Sequence, residues 1–295
     1  MRAPSIESIP IHLTGPGSQP EETDGARPET LDLPREIAAY RPPELPGPER
    51  VAHLQGARAA AEWLRQALAG YRAGDPSRVA DITALDPESR ALVNQILAEG
   101  EVSLVYRGGL EARMQESILA GLWRVIWLAP DGTPARGLIE VCDVPRLARH
   151  RLEGEAGRPP EALDGIEAEA GLMNAMPILS ELRHQLGAWK PGDSAYVVNL
   201  TQLPLSEQDA AFLERVLGRG PVETLARGYG ECHIVSTGFD RLWWVRYHNN
   251  LEKLILNTLE VVDIPAVACA APEDLADSRQ RLEGLLEPYW QDLER

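Results

Sequence analysis

Apolar residues recur along this chain with two different periods, which predict helices and strands in a definite order. Between residues 50 and 72 they recur every three or four positions, which is typical of an amphipathic helix. A short strand is predicted at 79–83. The sequence Asp86-Pro87-Glu88 is typical of a helix start, and this helix should end before Gly100. Four strands are predicted after it, at 102–107, 111–119, 122–128 and 136–144.

The second half of the chain repeats this order. Pro177 marks the start of a helix that runs to about residue 189, and a strand is predicted at 196–200. Ser206 should cap a further helix, which ends at 218–220. Four strands are then predicted at 222–227, 231–237, 242–248 and 253–262. The tail from residue 272 has an apolar stripe, so we expect a helix that packs on one of the halves.

The two halves also share residues. Residues 205–265 align without a gap on 85–145 and are identical at 15 of 61 positions, where about four matches are expected by chance. The likeness continues upstream, where 175–201 aligns on 57–83. We therefore predict an α+β fold made by tandem duplication of a unit of about ninety residues. Each unit has a helix, a strand, a helix and then largely antiparallel strands, and a pseudo-two-fold pairing would let the helices cover one sheet face each.

This prediction divides the chain into five segments. A proline-rich arm comes first, and its residues 9–13 are a candidate strand for a sheet edge. The two units are separated by a polar, acidic linker. The predicted segments are the arm at 1–49, the first unit at 50–150, the linker at 151–172, the second unit at 173–271 and a C-terminal amphipathic helix at 272–295.

Composition and charge exclude several classes of function. The 29 basic and 45 acidic side chains give a net charge of −16, which argues against nucleic acid as a partner and suits a partner with a basic segment. No apolar run is long enough for a membrane helix, and the N-terminus lacks the apolar core of a signal peptide. The three cysteines lie far apart and do not form a disulfide framework. We expect a soluble cytoplasmic protein with no stable membrane insertion.

Comparing the two halves separates core positions from candidate binding positions. On the strand at 242–248 one face carries Trp243, Val245 and Tyr247, and the first half has similar residues there, so this face should be core. The other face differs between the halves and carries Trp244, Arg246 and His248. An exposed Trp244 would be an anchor for a client protein, with Arg246, His248 and the nearby Tyr229 loop beside it. The alternative is that Trp244 is covered by another element.

Charged residues retained in both halves suggest structural pairs. Retention in both copies favours an arginine–carboxylate pair or a hydrogen-bonded turn within each unit over catalysis, because a catalytic group would more often survive in one copy only. The residues concerned are Arg107 and Arg227, Glu140 and Glu260, and Asp143 and Asp263.

Cys232 and His248 are the candidates for a metal site. If 231–248 is a hairpin centred near Asp240, Cys232 faces His248 and His233 faces Tyr247. Two ligands do not make a zinc or iron–sulfur site, so we predict no resident metal or cofactor. No motif of a nucleotide-binding loop, a serine hydrolase or a metalloprotease occurs. We therefore predict that the protein is not an enzyme.

Five stretches carry a resemblance to known proteins: GPGSQP at 15–20, EGEV at 99–102, QESILAGLWRV at 115–125, RGYGECHI at 227–234 and LWWVRYHNNLEKLILNTLEVVDIP at 242–265. Together they resemble the HupH/HyaF family of hydrogenase expression/formation proteins. The resemblance covers most of the chain, apart from residues 21–48 and the linker.

The resemblance implies a cytoplasmic accessory protein for the maturation of nickel–iron hydrogenase. It implies a non-catalytic chaperone that binds the precursor of the iron–sulfur small subunit, together with its twin-arginine export signal, and works alongside a thioredoxin-like accessory protein. The alternative function is an iron–sulfur cluster or redox helper that uses Cys232 and His248.

Overall fold

The structure is a computed structural model of the chain, and it describes residues 42–149, 152, 155–228 and 230–291. The strand predicted at 9–13, most of the predicted arm and Tyr229 lie outside the described residues. The described part combines helices with runs of consecutive antiparallel strands, so the predicted α+β class is confirmed.

The helices begin where the capping residues predict. The side chain of Asp86 accepts a hydrogen bond from the amide of Ser89, and Ser206 does the same for Asp209. The single helix predicted at 50–72 is divided, because Leu54 has a non-helical backbone. The helices of the described residues are α1 (Pro48–Val51), α2 (Gln55–Ala69), α3 (Pro87–Leu97), α4 (Arg146–Arg149), α5 (Ala175–Ala188), α6 (Glu207–Leu217) and α7 (Pro272–Gln291).

Ten strands of the described residues form one sheet in which all neighbours are antiparallel. They are β1 (Arg78–Asp81), β2 (Val102–Arg107), β3 (Glu111–Glu116), β4 (Leu122–Leu128), β5 (Pro134–Val141), β6 (Tyr196–Asn199), β7 (Val222–Arg227), β8 (Gly230–Ser236), β9 (Leu242–Asn249) and β10 (Leu254–Val261). The bounds of β2, β4 and β7 are as predicted. β3 is shorter than predicted because Ser117 turns the chain by hydrogen bonds with Leu119 (2.7 and 3.0 Å).

The two halves of the sheet have the same strand order and register. Outward from the centre the order is β2-β3-β4-β5-β1 on one side and β7-β8-β9-β10-β6 on the other. Ser103 faces Gln115, and the residues 120 positions later, Glu223 and Val235, also face each other. The pairings of β4 with β5 and of β9 with β10 have a register shift at the same place. Residues 120 positions apart on these strands are called equivalent below.

The halves are joined by the antiparallel pairing of β2 with β7. In this pairing Leu104 faces Thr224, its own equivalent, so the two ends of the junction are alike. A backbone hydrogen bond closes each end, from Arg107 to the carbonyl of Pro221 (2.7 Å) and from Arg227 to the carbonyl of Glu101 (3.0 Å).

Helices cover the same face of both halves. In the second half Phe212 and Leu213 of α6 form a buried cluster with Trp244 on the sheet. In the first half Arg124, the equivalent of Trp244, donates to the carbonyl of Ala98 at the end of α3 (3.2 Å). The opposite face is buried as well: Trp123, Val125, Trp243 and Val245 are at most 4% exposed, which confirms the core prediction for Trp243 and Val245. Tyr247, the third residue of the predicted core face, is only partly buried.

The C-terminal helix α7 packs on the first half. Arg279 donates to the carbonyl of Leu68 in α2 (3.0 Å), and the hydroxyl of Tyr289 donates to the carbonyl of Pro46 (2.6 Å). Its first turn covers Gly121, where a Cβ would lie 2.2 Å from the side chain of Leu275. None of the helices described combines the length and apolar character needed to cross a membrane.

Part of the segment predicted as a linker packs on the second half. The guanidinium of Arg158 donates to the carbonyl of Val216 at the end of α6 (2.7 Å) and lies 4.2 Å from the centre of the Phe239 ring. Leu163 is buried in the same core as α5 and α6. This segment therefore closes the end of α6 as well as connecting the halves.

Candidate functional site

The residues predicted to bind a client lie on β9, beside β8. Val235 faces Trp244, His233 faces Arg246 and Glu231 faces His248. Because strand residues alternate between faces, Trp244, Arg246 and His248 share one face, as predicted. α6 packs on this face and covers the end at which Trp244 lies.

Trp244 is a core residue. It is 7% exposed, and it packs with Phe212 and Leu213 of α6. Its indole N–H donates to Oδ1 of Asn257 (2.6 Å), and the guanidinium of Arg246 lies 4.3 Å from the centre of its ring. The predicted exposure of Trp244 is therefore wrong. A buried indole that finds a partner for its N–H is common in cores, and the alternative, in which another element covers Trp244, is correct.

A cleft of about 400 Å³ opens beside Trp244, at the end of α6. The rings of His233 and His248 meet in it edge to face, with centroids 5.5 Å apart. Nδ1 of His248 is buried and has no hydrogen-bond partner among the described residues. We call this site the histidine cleft; it is lined by Glu214, Arg219, Glu223, His233, Trp244, Arg246 and His248.

Charged partners surround the two histidines. The ring Nε2 of His233 lies 3.4 Å from a carboxylate oxygen of Glu231, and Arg246 forms an ion pair with Glu214 of α6. Sequence reasoning missed His233 and Glu214. The alternation of β8 would have placed His233 on the correct face, but only the packing of α6 brings Glu214 to Arg246.

The two histidines of the cleft occur only in the second half. The equivalent of His248 is Leu128, that of Arg246 is Ile126 and that of His233 is Arg113. The same backbone therefore carries different chemistry in the two halves. A site for one partner on a symmetric scaffold should differ between the halves in this way.

Tyr229, predicted to lie beside this face, is outside the described residues, but its neighbours are described. Gly228 donates to the carbonyl of Gly230 (3.0 Å). A Cβ at Gly230 would lie 2.2 Å from the carbonyl oxygen of His248. Gly230 is thus next to the end of β9.

The predicted pairing of Cys232 with His248 is wrong by one residue. Cys232 faces Tyr247, and His248 faces Glu231. A shift of one residue moves a strand residue to the other face, so Cys232 and His248 lie on opposite faces of the sheet. In the part of the chain that the structure describes, no group of three or more His, Cys, Asp or Glu side chains could hold a metal ion.

The cysteines are in environments that favour the thiol. Burial raises the pKa of Cys232 to about 11. Burial also raises the pKa of Cys142 well above its usual value, with the nearby carboxylate of Glu140 adding to the effect. Because the thiolate is the nucleophile and metal ligand, neither residue is activated for either role at neutral pH.

The predicted pairs of retained arginines with Glu140, Glu260, Asp143 or Asp263 do not form. Arg107 pairs instead with Glu223 across the central junction (2.9 Å), and Arg227 lies near Glu231 (3.8 Å). What both arginines share is the backbone hydrogen bond at the junction, together with a following glycine turn. These shared backbone hydrogen bonds are consistent with the second interpretation of why both arginines are retained, a hydrogen-bonded turn.

The retained carboxylates have partners close by. Asp143 is buried and accepts hydrogen bonds from the hydroxyl of Tyr71 (3.0 Å) and from Arg149 (2.7 Å). Its equivalent Asp263 is about half exposed and lies 3.6 Å from Arg241. Glu140 accepts a hydrogen bond from the backbone N–H of Arg146 (2.8 Å). Glu260 accepts one from the hydroxyl of Thr258 (3.0 Å).

A buried carboxyl that the sequence did not indicate lies at the end of β3. Glu116 is 8% exposed and accepts the amide of Gly121 (3.1 Å). Burial raises its pKa to about 7, with Asp274 and Glu101 adding a smaller effect of the same sign. The equivalent residue in the second half is Ser236, a neutral group.

The chain belongs to the family described as HupH hydrogenase expression protein, C-terminal conserved region. The family model matches residues 54–156 and 172–289, which together make up most of the chain. The two matched segments contain the two halves of the sheet.

Curated relatives agree with this assignment. The chain is 43% identical to hydrogenase expression/formation protein HoxQ of Cupriavidus necator, over 94% of this chain and 96% of the relative. It is 40% identical to hydrogenase expression/formation protein HupH of Rhizobium leguminosarum bv. viciae, over 77% and 80%. It is 33% identical to hydrogenase-1 operon protein HyaF of Escherichia coli, over 92% and 94%.

Trp244→Ala should lower the free energy of unfolding by about 3–5 kcal/mol, because it leaves a cavity beneath α6. Leu251→Ala is the control: Leu251 is 85% exposed, and its loss should change stability by less than about 0.5 kcal/mol. Urea unfolding followed by circular dichroism measures both. A Trp244→Ala variant as stable as the wild type would show that Trp244 is not part of the core.

Glu116→Gln should change how stability depends on pH. Between the unfolded pKa of 4.5 and the folded pKa of about 7, folded Glu116 keeps a proton that the unfolded chain releases, so its contribution to stability is lost as pH rises. The variant should match the wild type near pH 4 and exceed it by about 3 kcal/mol at pH 8. Urea unfolding at several pH values tests this, with the exposed Glu99→Gln as control. A difference that does not change with pH would contradict the raised pKa.

Proposed function

We propose that this protein is a non-catalytic accessory chaperone in the maturation of nickel–iron hydrogenase. The observation that carries the proposal is the family membership over both halves of the chain, with relatives named as hydrogenase expression/formation proteins. The client is the precursor of the iron–sulfur small subunit, bound in the cytoplasm before export. A thioredoxin-like accessory protein works with it.

The chemistry of the site supports binding rather than catalysis. Cys142 and Cys232 are buried with raised pKa values, which keeps them as thiols. Cys232 and His248 lie on opposite faces, so the alternative of a cluster or redox helper that uses this pair has no geometric support. A chaperone needs a surface that differs from its surroundings, and the histidine cleft provides one.

The client-binding face is the end of β9 beside the histidine cleft. Arg246 and His248 contact the client there, together with the turn that contains Tyr229. Trp244 supports this face from beneath, because Arg246 stacks on its ring. The histidines of the cleft, which have no histidine at the equivalent positions of the first half, are the reason for placing the contact here.

The charge of the chain supports recognition of the export signal. A twin-arginine signal joins a basic segment to an apolar one, and a net charge of −16 attracts the basic segment from a distance. Salt screens such attraction beyond about 8–10 Å. The apolar segment is then held by contacts at short range. Masking both segments keeps the precursor from premature export.

We further propose that the two halves arose by tandem duplication of one unit. Matching strand order, matching register and the pairing of Leu104 with its equivalent Thr224 all support it. On this view an ancestral unit paired with a second copy of itself through β2. Duplication then freed one half to acquire a binding site.

The proposal predicts binding that depends on the signal and on salt. The protein should bind the small-subunit precursor more tightly than the mature subunit and than a precursor whose signal has Gln–Gln in place of Arg–Arg. The association rate for the precursor should fall as ionic strength rises. Biolayer interferometry with the three clients between 0.05 and 0.5 M salt measures both effects.

Arg246→Ala combined with His248→Ala should weaken binding of the precursor, while the equivalent pair Ile126→Ala and Leu128→Ala in the first half should not. Equal, salt-insensitive binding of all three clients would exclude recognition of the signal. Binding of none of them would exclude the chaperone proposal.

A further inference from the structure

The last strands of the second half leave part of a backbone edge unpaired. β6 pairs only with the end of β10, from Thr258 to Val261. The amide of Asn257 still donates to the hydroxyl of Thr201 (2.7 Å). On the side of β10 that faces β6, no strand in the described part of the chain pairs with residues 254–256, which precede Asn257. At the bulge, Ile255 has no partner on β9 either.

The side chains at this unpaired edge are apolar and exposed. Leu251, in the turn before β10, is 85% exposed, Ile255 is 53% exposed and Leu254 is 42% exposed. They make up three of the ten large exposed hydrophobic residues of the described chain, and they lie within five residues of sequence. Isolated exposed apolar side chains need no explanation, but a group on an open strand edge does.

The first half has the same edge in a protected form. Its β1 pairs with β5 only from Leu138 to Val141, and the bulge lies at the same position. There the equivalents of Leu254, Ile255 and Leu256 are Pro134, Ala135 and Arg136. Proline removes a backbone donor, and Arg136 pairs with Asp81 of β1 (2.8 Å). Prolines and charges of this kind are how proteins keep a strand edge from pairing with another chain.

We infer that the edge of β10 at residues 254–256 accepts an extended apolar segment of the client as an added strand. Unpaired backbone groups are satisfied by another extended backbone, and Leu251, Leu254 and Ile255 require apolar side chains on it. The identity of the client rests on the proposed function. The placement of the contact rests on the difference between the two halves.

Charge selects among possible occupants. A second copy of this chain would bring another −16 charges to the edge and be repelled. A client segment that is apolar and flanked by basic residues is attracted instead. A helix would bury the apolar side chains but leave the strand edge unsatisfied. An extended apolar segment next to basic residues matches the unpaired backbone of the edge, its apolar side chains and the negative charge of the chain.

Exchanging the edge residues between the halves tests the inference. One variant carries Leu254→Pro, Ile255→Ala and Leu256→Arg, the residues that the first half has at the same backbone positions. The same register in β5 shows that this sequence fits the pairing. The reverse variant carries Pro134→Leu, Ala135→Ile and Arg136→Leu, which opens the edge of the first half. Thermal unfolding checks that both variants are folded.

The probes are the small-subunit precursor and a fluorescent synthetic peptide of its export signal. A second peptide is methylated on alternate backbone nitrogens and cannot complete a strand pairing. The first variant should bind the precursor and the peptide at least tenfold more weakly than the wild type. The reverse variant should bind two peptides per chain instead of one, and the methylated peptide should bind neither protein.

The outcomes separate the inference from the proposed function. If the first variant binds the precursor and the peptide as tightly as the wild type does, the edge inference is overturned and the chaperone proposal stands. Tight binding of the methylated peptide would also overturn it. If the wild type binds the peptide and the first variant does not, the edge inference is supported even when the precursor does not bind. Self-association that the first variant abolishes, measured by light scattering, would make a second copy the occupant and overturn the inference.

Discussion

The backbone pairing of β2 with β7 is the interaction on which the rest of the structure depends. It joins two five-stranded halves into one sheet. Because Leu104 faces its equivalent Thr224, an approximate two-fold axis at this pairing relates the two halves. Both helical layers therefore lie on one face of the sheet. The outermost strands, β1 and β6, are short, so each leaves the first residues of its neighbour, β5 or β10, unpaired on that side. Main-chain hydrogen bonds impose this geometry whatever the side chains are.

Side chains then make the halves different. Ile126 and Leu128 of the first half correspond to Arg246 and His248, which line the histidine cleft. Pro134 in the first half corresponds to Leu254 at an open edge. The first half is also covered by α7, whose Leu275 packs on Gly121, where the second half has Arg241. The first half thus has the features of a support, and the second has the features of a surface that meets a partner.

Much of the fold could be predicted from the sequence because its signals are local. Asp86 and Ser206 act as helix caps whatever surrounds them, and the alternation on β9 identifies its core face. The register of β8 with β9 could not be predicted. A midpoint at Asp240 gives one register, while the real turn, in which Thr237 donates to the carbonyl of Leu242, gives another. One residue of difference separates Cys232 from His248.

The candidate site was harder to predict because it depends on what packs on the sheet. Trp244 on a variable face looks like a binding anchor until α6 is placed over it. Arg124 at the equivalent position suggested exposure, yet it too is held by a helix end, at Ala98. The difference between the halves singles out the face that carries the histidine cleft. It did not distinguish a residue that supports the face from one that a partner would touch.

The central claim is that the second half of the sheet meets the client and the first half supports it. Hydrogen–deuterium exchange of the protein with and without the small-subunit precursor measures this directly, because every peptide has an equivalent in the other half. The account predicts slower exchange at residues 228–257 on binding and little change at 108–137. Protection confined to residues 108–137, or equal in both segments, would contradict it.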